Sequence, residues 1–299
     1  MEKKDIETLA AEKIDACFGS HSRLLSLTAL AGDASSRRYY RALLDGGAAP
    51  RLPFLNLHRF LSRVGVRLPA LYGHWVDQGI LILEDLGDRS LWDSVQSLSP
   101  AEILGWYQKA IDQLLLIQIA GTKARDDSCI AFQQRFDFRL YMWEFDHRLD
   151  SRPPCLNHRD YHSWNLMVTD GEVVVIDFQD ALLAPPQYDL ASLLNDRETD
   201  RIIRPEMEEQ LIRYYLERRD EAGGKTTSRD DFNEVYILSA LQRDFKVVGR
   251  FHYLELVKGK PGYKKYLPPT VKRLKRNLLR LPQTERLVPL LAAHFEEMR

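Results

Sequence analysis

Residues 156–180 read LNHRDYHSWNLMVTDGEVVVIDFQD and gather the groups that phosphoryl transfer needs. His158 and Asp160 stand two apart, Asn165 follows the aspartate by five residues, and Asp177 closes a short run of β-branched residues. Transfer from a nucleotide requires one carboxylate to accept the proton of an attacking hydroxyl. It also requires an amide oxygen and a second carboxylate to hold Mg2+, a hard cation that prefers oxygen ligands. Little covalent work is left to the protein, so positioning and charge neutralisation dominate. Under this reading Asp160 is the base, and Asn165 and Asp177 are the metal ligands. One other chemistry is open to the segment: His158-x-Asp160-x-His162 would serve as a transition-metal cluster of a hydrolase, though only His252 and His294 lie downstream to complete it.

The elements that must carry these residues follow from periodicity and turn chemistry. Residues 6–17 show apolar positions near helical spacing, a first amphipathic helix with charges scattered through it and no signal-peptide core. Residues 26–31 and 37–44 read as strands around the polar turn 32–36, and Asp45-Gly46-Gly47 is a turn. Phe54, Leu57, Leu61 and Val64 mark a helix that Gly65 closes. Residues 71–75 and 80–83 flank Asp77-Gln78-Gly79 as a hairpin. Ser99-Pro100-Ala101-Glu102 is a capping box with Pro at the first helical position, opening a helix with an apolar stripe from Ile103 to Leu115. A further helix is expected over 132–147, a β run over 172–176, and helices from Tyr188 through most of the remaining chain. The pattern is α+β, with a boundary near Glu84-Asp85-Leu86-Gly87 that divides the chain into 1–84 and 85–299.

Composition sets the outer limits. The chain has 299 residues, 44% hydrophobic and 28% charged, with Lys+Arg 42 against Asp+Glu 43 and a net charge of -1. That is ordinary globular composition, long enough for a large core, and it excludes a generally basic nucleic-acid coat protein. Three widely spaced cysteines without a CxxC argue against a disulfide framework and for a reducing, cytoplasmic setting. No stretch approaches the ~18 apolar residues that cross a bilayer. Neither G-x-x-x-x-G-K-[ST] nor G-x-G-x-x-G occurs.

The order H-R-D-Y-H-S-x-N-L-M, V-I-D-F-Q-D-A, Y-D-L-A-S-L-L resembles the aminoglycoside-phosphotransferase-like kinases, and more narrowly the bacterial N-acetylmuramate/N-acetylglucosamine 1-kinases. The loop spacing matches that of protein-kinase catalytic loops. Residues 32–41 (GDASSRRYYR), 83–88 (LEDLGD) and 241–247 (LQRDFKV) agree with the same family, so the resemblance covers most of the chain. It implies a bilobal protein-kinase-like fold, with a small β-containing nucleotide lobe over 1–84 and a mostly helical catalytic and acceptor lobe over 85–299. It also implies ATP and Mg2+ as cofactors and a small-molecule acceptor, an amino sugar, with no nucleic-acid or membrane partner. Gly32, Ser35, Ser36 and Arg38 would then cover the nucleotide phosphates, and Glu84 and Leu86 would meet adenine through their backbone. His158 and Asp189 would brace the catalytic loop, and Gln242, Arg243 and Lys246 would face the acceptor.

Two departures stand beside the resemblance. Kinases of this fold commonly pair a strand lysine with a helix glutamate, yet no Lys lies between Lys13 and Lys109 and no Glu between Glu12 and Glu84. The stretch between Arg41 and Phe54 is also shorter than the relatives' strand-turn-strand; Arg37, Arg38 or Arg41 is left to supply the positive charge. Residues 241–280 carry a net +10, most of it on a solvated face. Gln242, Arg243 and Lys246 share a helix side through their spacing, and a positive field there suits an anionic or neutral acceptor better than a polycationic aminoglycoside. The alternatives are a kinase for another small hydroxyl compound, such as an amino alcohol with Trp143, Glu144 and Asp146 near its cation, and a kinase-shaped binding protein without turnover.

Overall fold

The computed structural model describes residues 53–75, 80–134, 153–196, 199–224, 228–259 and 261–299, together with the backbone of 26–29 and 40–43. The expected first helix, the turn 32–36 and the Asp77-Gln78-Gly79 turn lie outside these residues. Strands β1 (Ser26–Ala29) and β2 (Tyr40–Leu43) pair antiparallel. Helix α1 (Pro53–Arg63) buries Leu55, Leu57, Phe60 and Leu61 on one side. It stops because Gly65 takes φ +89, a left-handed conformation that side chains other than Gly rarely adopt. Strands β3 (Leu71–Trp75) and β4 (Ile80–Leu83) form the expected hairpin, with a register shift between Leu71 and Gly73.

Two capped helices follow. Ser90 opens α2 (Leu91–Val95) through a capping box with Asp93. Ser99 opens α3 (Pro100–Leu115) through the box with Glu102 that its sequence announces. The stripe Ile103, Tyr107, Ala110, Ile111, Leu114 and Leu115 is buried, and the helix relaxes into a π-turn over Leu116–Gly121. The helix expected from Phe132 does not begin there. Ile130–Gln133 is a single 3-10 turn and Gln134 is extended, its carbonyl taken at 3.0 Å by the Leu183 N–H instead of by a following turn; residues 135–147 lie outside the described set.

Four short strands then frame the loop 158–165. β5 (Cys155–Asn157) pairs with β8 (Leu182–Ala184), and β6 (Leu166–Thr169) pairs with β7 (Glu172–Val175), all antiparallel. Helix α4 (Gln187–Leu194) is buried along its whole length, enclosed by the long helix α6 (Arg229–His252) and its neighbours. Helix α5 (Pro205–Glu221) packs on α3, and α7 (Leu267–Leu278) on α6. Cys129 and Cys155 are buried free thiols, and burial pushes Cys155 up to about 12. No helix among the described residues is long and apolar enough to cross a membrane.

Candidate active site

The loop between β5 and β6 is held from behind by one buried carboxylate. Asp189, in the first turn of α4, accepts the backbone N–H groups of His158 (2.5 Å) and Arg159 (3.0 Å). Arg159 sits at φ +84, a region unfavourable for a long side chain. The conformation persists because both its backbone polar groups are committed: the N–H to Asp189, and the carbonyl to Arg243 Nη1 at 2.9 Å. His158 donates from Nε2 to the Ile176 carbonyl at 2.8 Å, tying the start of the loop to the end of β7.

That tie brings the two halves of the motif together. The Ile176 N–H donates to the Asn165 carbonyl at 3.1 Å, so Asn165 and Asp177 leave adjacent strand ends. The Asn165 Nδ2 donates to the Asp160 carbonyl at 2.9 Å, which leaves its Oδ1 as the acceptor a metal would use. Asp177 has φ 58 and ψ 33, and its Oδ1 accepts from Gln179 Nε2 at 2.6 Å. Phe178, the next residue, is buried against Phe54 of α1 with ring centroids 4.8 Å apart, so α1 fixes the chain just after Asp177. An amide oxygen and a carboxylate from neighbouring strand ends are oxygen donors of the kind Mg2+ takes. Among the described residues no group of three His, Cys, Asp or Glu is placed to hold a metal, so His158 and His162 do not form a hydrolase cluster.

Asp160 is 40% exposed and faces two cations delivered by α6. Lys246 Nζ lies 3.1 Å from its Oδ1 and Arg243 Nη1 lies 3.5 Å away. Burial alone would raise the Asp160 carboxyl; Lys246, Arg243 and His162 overcome it and hold the group well below the usual carboxylate range. Arg243 also meets Asp196 at 3.1 Å, and His162 Nε2 is 4.0 Å from the same carboxylate. Asp196 gave no motif signal in the sequence; only its place one helix beyond Asp189 would have flagged it.

The remaining expected residues divide. Gln242 is 5% exposed and neither of its amide atoms has a hydrogen-bond partner among the described residues. Glu84 pairs bidentately with Arg67 at 2.8 Å and donates its N–H to the Ala70 carbonyl, so its backbone carbonyl and the Leu86 N–H are the groups left for a base edge. Gly32, Ser35, Ser36 and Arg38, and also Trp143, Glu144 and Asp146, lie outside the described residues. Helix α1 carries no acid, and the Arg67–Glu84 pair ties the strands' base instead of a phosphate contact.

Burial raises Asp189 to about 6, against the pull of His158 and its two N–H donors. The folded value lies above the ordinary one, so this group's contribution to stability is complete below about pH 4 and is lost as pH rises through about 6. Denaturant midpoints of Asp189→Asn should therefore depend less on pH between about 4 and 7 than those of the unaltered protein. An unchanged slope would mean that Asp189 does not titrate in that window.

The fold is the bilobal, protein-kinase-like one. Over 91% of this chain and 96% of the other, it superposes with a TM-score of 0.60 and 14% identity on the solved structure of amicoumacin kinase hAmiN in complex with AMP-PNP, Ca2+ and Ami. Residues 116–225, which include the loop and the Asp177 strand end, match the model of the phosphotransferase enzyme family. Fold and loop together place the chain beside the aminoglycoside-phosphotransferase-like kinases, to which it is similar. Within that class it is similar to the N-acetylmuramate/N-acetylglucosamine kinase of Pseudomonas aeruginosa, at 27% identity over 87% of this chain and 86% of the relative. It is similar also to the enzyme of the same name from Neisseria meningitidis serogroup B, at 29% identity over 85% and 86%.

Proposed function

We propose that this chain is an ATP- and Mg2+-dependent cytoplasmic kinase that phosphorylates the anomeric hydroxyl of N-acetylmuramate or N-acetylglucosamine. The observation that carries the reading is the hydrogen-bonded linkage of Asp160, Asn165 and the strand end before Asp177, with two cations from α6 on the Asp160 carboxylate. The names of the relatives support the acceptor class. Residues 1–84 would form the nucleotide lobe, with Gly32, Ser35, Ser36 and Arg38 over the phosphates and the Glu84 carbonyl and Leu86 N–H on adenine. Residues 85–299 would hold the acceptor.

Asn165 Oδ1 and the Asp177 carboxylate would hold Mg2+, which when bound neutralises charge on the phosphate oxygens. The acceptor hydroxyl hydrogen-bonds to Asp160, and its oxygen forms the bond to the γ-phosphorus as the bond from that phosphorus to the ADP oxygen breaks. A carboxylate held strongly ionised is a poor base for a free alcohol. It orients the hydroxyl and takes the proton late, when bonding to phosphorus has made that oxygen acidic, as a loose transition state requires. Arg243 is committed to Asp160, Asp196 and the Arg159 carbonyl, so it positions the loop. Lys246 and the unpaired Gln242 amide are the α6 groups that would reach the acceptor. Two cations beside the base favour a neutral or carboxylate-bearing sugar over a polycationic aminoglycoside.

Phosphorus NMR of the protein with Mg-ATP and N-acetylmuramate should show a sugar 1-phosphate resonance, and Asp177→Ala should abolish it. ATP that stays intact with N-acetylmuramate and with N-acetylglucosamine would set this acceptor aside and favour another small hydroxyl acceptor or a binding protein. An Asp177→Ala variant with full activity would remove the metal assignment.

A further inference from the structure

Two tryptophans flank the catalytic loop without belonging to its polar machinery. Trp164 occupies the turn Ser163–Asn165, directly before the proposed metal ligand Asn165. Trp92 lies on α2, and α2 is laced to the loop's outgoing strand: Ser90 bridges Met167, and the Val168 N–H donates to the Arg89 carbonyl at 3.0 Å. The two indoles stack at 4.5 Å between centroids and 22° between planes. The edge of His162 meets Trp164 at 5.9 Å and 80°. Both tryptophans remain half-buried, in contrast to the fully buried aromatics of the core, such as Tyr107, Tyr161 and Phe178.

A partly exposed tryptophan pair offers an apolar surface that a ligand can cover. A series of side-chain contacts links it to Asp160. Trp164 touches His162, His162 approaches Asp196, Asp196 pairs with Arg243, and Arg243 reaches Asp160. A pyranose has an apolar face of C–H bonds whose positive edges suit the negative face of an indole, while its hydroxyls seek the polar groups around it. We infer that the Trp92–Trp164 stack is the apolar wall of the acceptor subsite, against which the C–H face of the amino sugar packs while its anomeric hydroxyl reaches Asp160. The inference rests on the sugar-kinase reading and adds to it the surface that selects a ring over an open-chain alcohol.

The test is steady-state kinetics of Trp164→Leu, Trp164→Phe and Trp92→Leu with N-acetylglucosamine and with Mg-ATP, beside a fluorescence titration of the full chain with N-acetylglucosamine alone. Trp164→Leu is expected to raise the sugar KM about tenfold with little change in kcat or in the ATP KM. Trp164→Phe keeps an aromatic face and should recover most of that loss, which separates stacking from a folding defect. Sugar should quench the emission of the unaltered protein, and Trp164→Leu should lose the greater part of the quench. An unchanged sugar KM in both leucine variants overturns the wall while leaving the kinase reading intact. A rise confined to the ATP KM also overturns it, by placing the pair against the nucleotide. An unaltered protein that phosphorylates neither sugar overturns the acceptor reading and the wall with it.

Discussion

Asp160→Asn should lower kcat by about 10^2 to 10^4 while leaving both KM values within a few fold. The amide is isosteric with the carboxylate and its oxygen still accepts from Lys246, whose Nζ lies 3.1 Å from the present Oδ1, so the loop keeps its place. What the variant loses is the ability to take a proton from the attacking hydroxyl. A KM that rises in step with the fall in kcat would mean that the side chain binds substrate instead of acting in the transition state. A loss of less than tenfold would show that the proton leaves by another route. The measurement is initial-rate kinetics with a coupled ADP assay, supported by matching thermal denaturation of the two proteins.

The largest effect on stability is expected far from the loop. Arg273 of α7 and Asp244 of α6 are each 1% exposed, with Nη2 to Oδ1 at 2.6 Å and Nε to the same oxygen at 2.9 Å. Asn277 adds a donor to the other oxygen at 3.3 Å. Burial pushes the Asp244 carboxyl upward even with Arg273 beside it, a sign of how much the arginine is needed. Arg273→Ala leaves that carboxylate without its partner and should cost about 3–5 kcal/mol, a Tm drop of about 6–15 °C. The double variant Arg273→Met with Asp244→Leu fills similar volume without charge, and much of the loss should return. Scanning calorimetry of the set checks both parts. A single-variant cost under about 1 kcal/mol would show that the pair is solvated in solution.

The loop was legible because its residue types are few and their spacing is short. Asp160, Asn165 and Asp177 can be picked out of the chain as candidates, and the Ser99 cap, the Gly65 stop and the β3–β4 hairpin read from it are present in the fold. Their signals are local, read within a few residues. What the sequence withheld is long-range pairing. Nothing near Cys155 indicates that β5 would lie beside β8, and Asp196 joins Arg243 across 47 positions. The 3-10 turn at Ile130–Gln133 carries helical-looking residues, but the Gln134 carbonyl after it is taken by Leu183 from a distant strand. The Trp92–Trp164 stack was invisible for the same reason: each indole reads as an ordinary core candidate until α2 is seen against the loop.

Consecutive residues on a helix point about 100° apart, and α6 uses that angle at one step. Arg243 turns toward the catalytic loop, and Asp244 turns toward α7. Selection on the geometry of the loop and selection on whether the chain folds thus act on neighbouring codons. A lineage drifting toward a new acceptor through this stretch would meet folding failures before it met new activity. With the Trp92–Trp164 stack as the proposed acceptor wall, divergence of acceptor range is expected to accumulate there before it reaches α6.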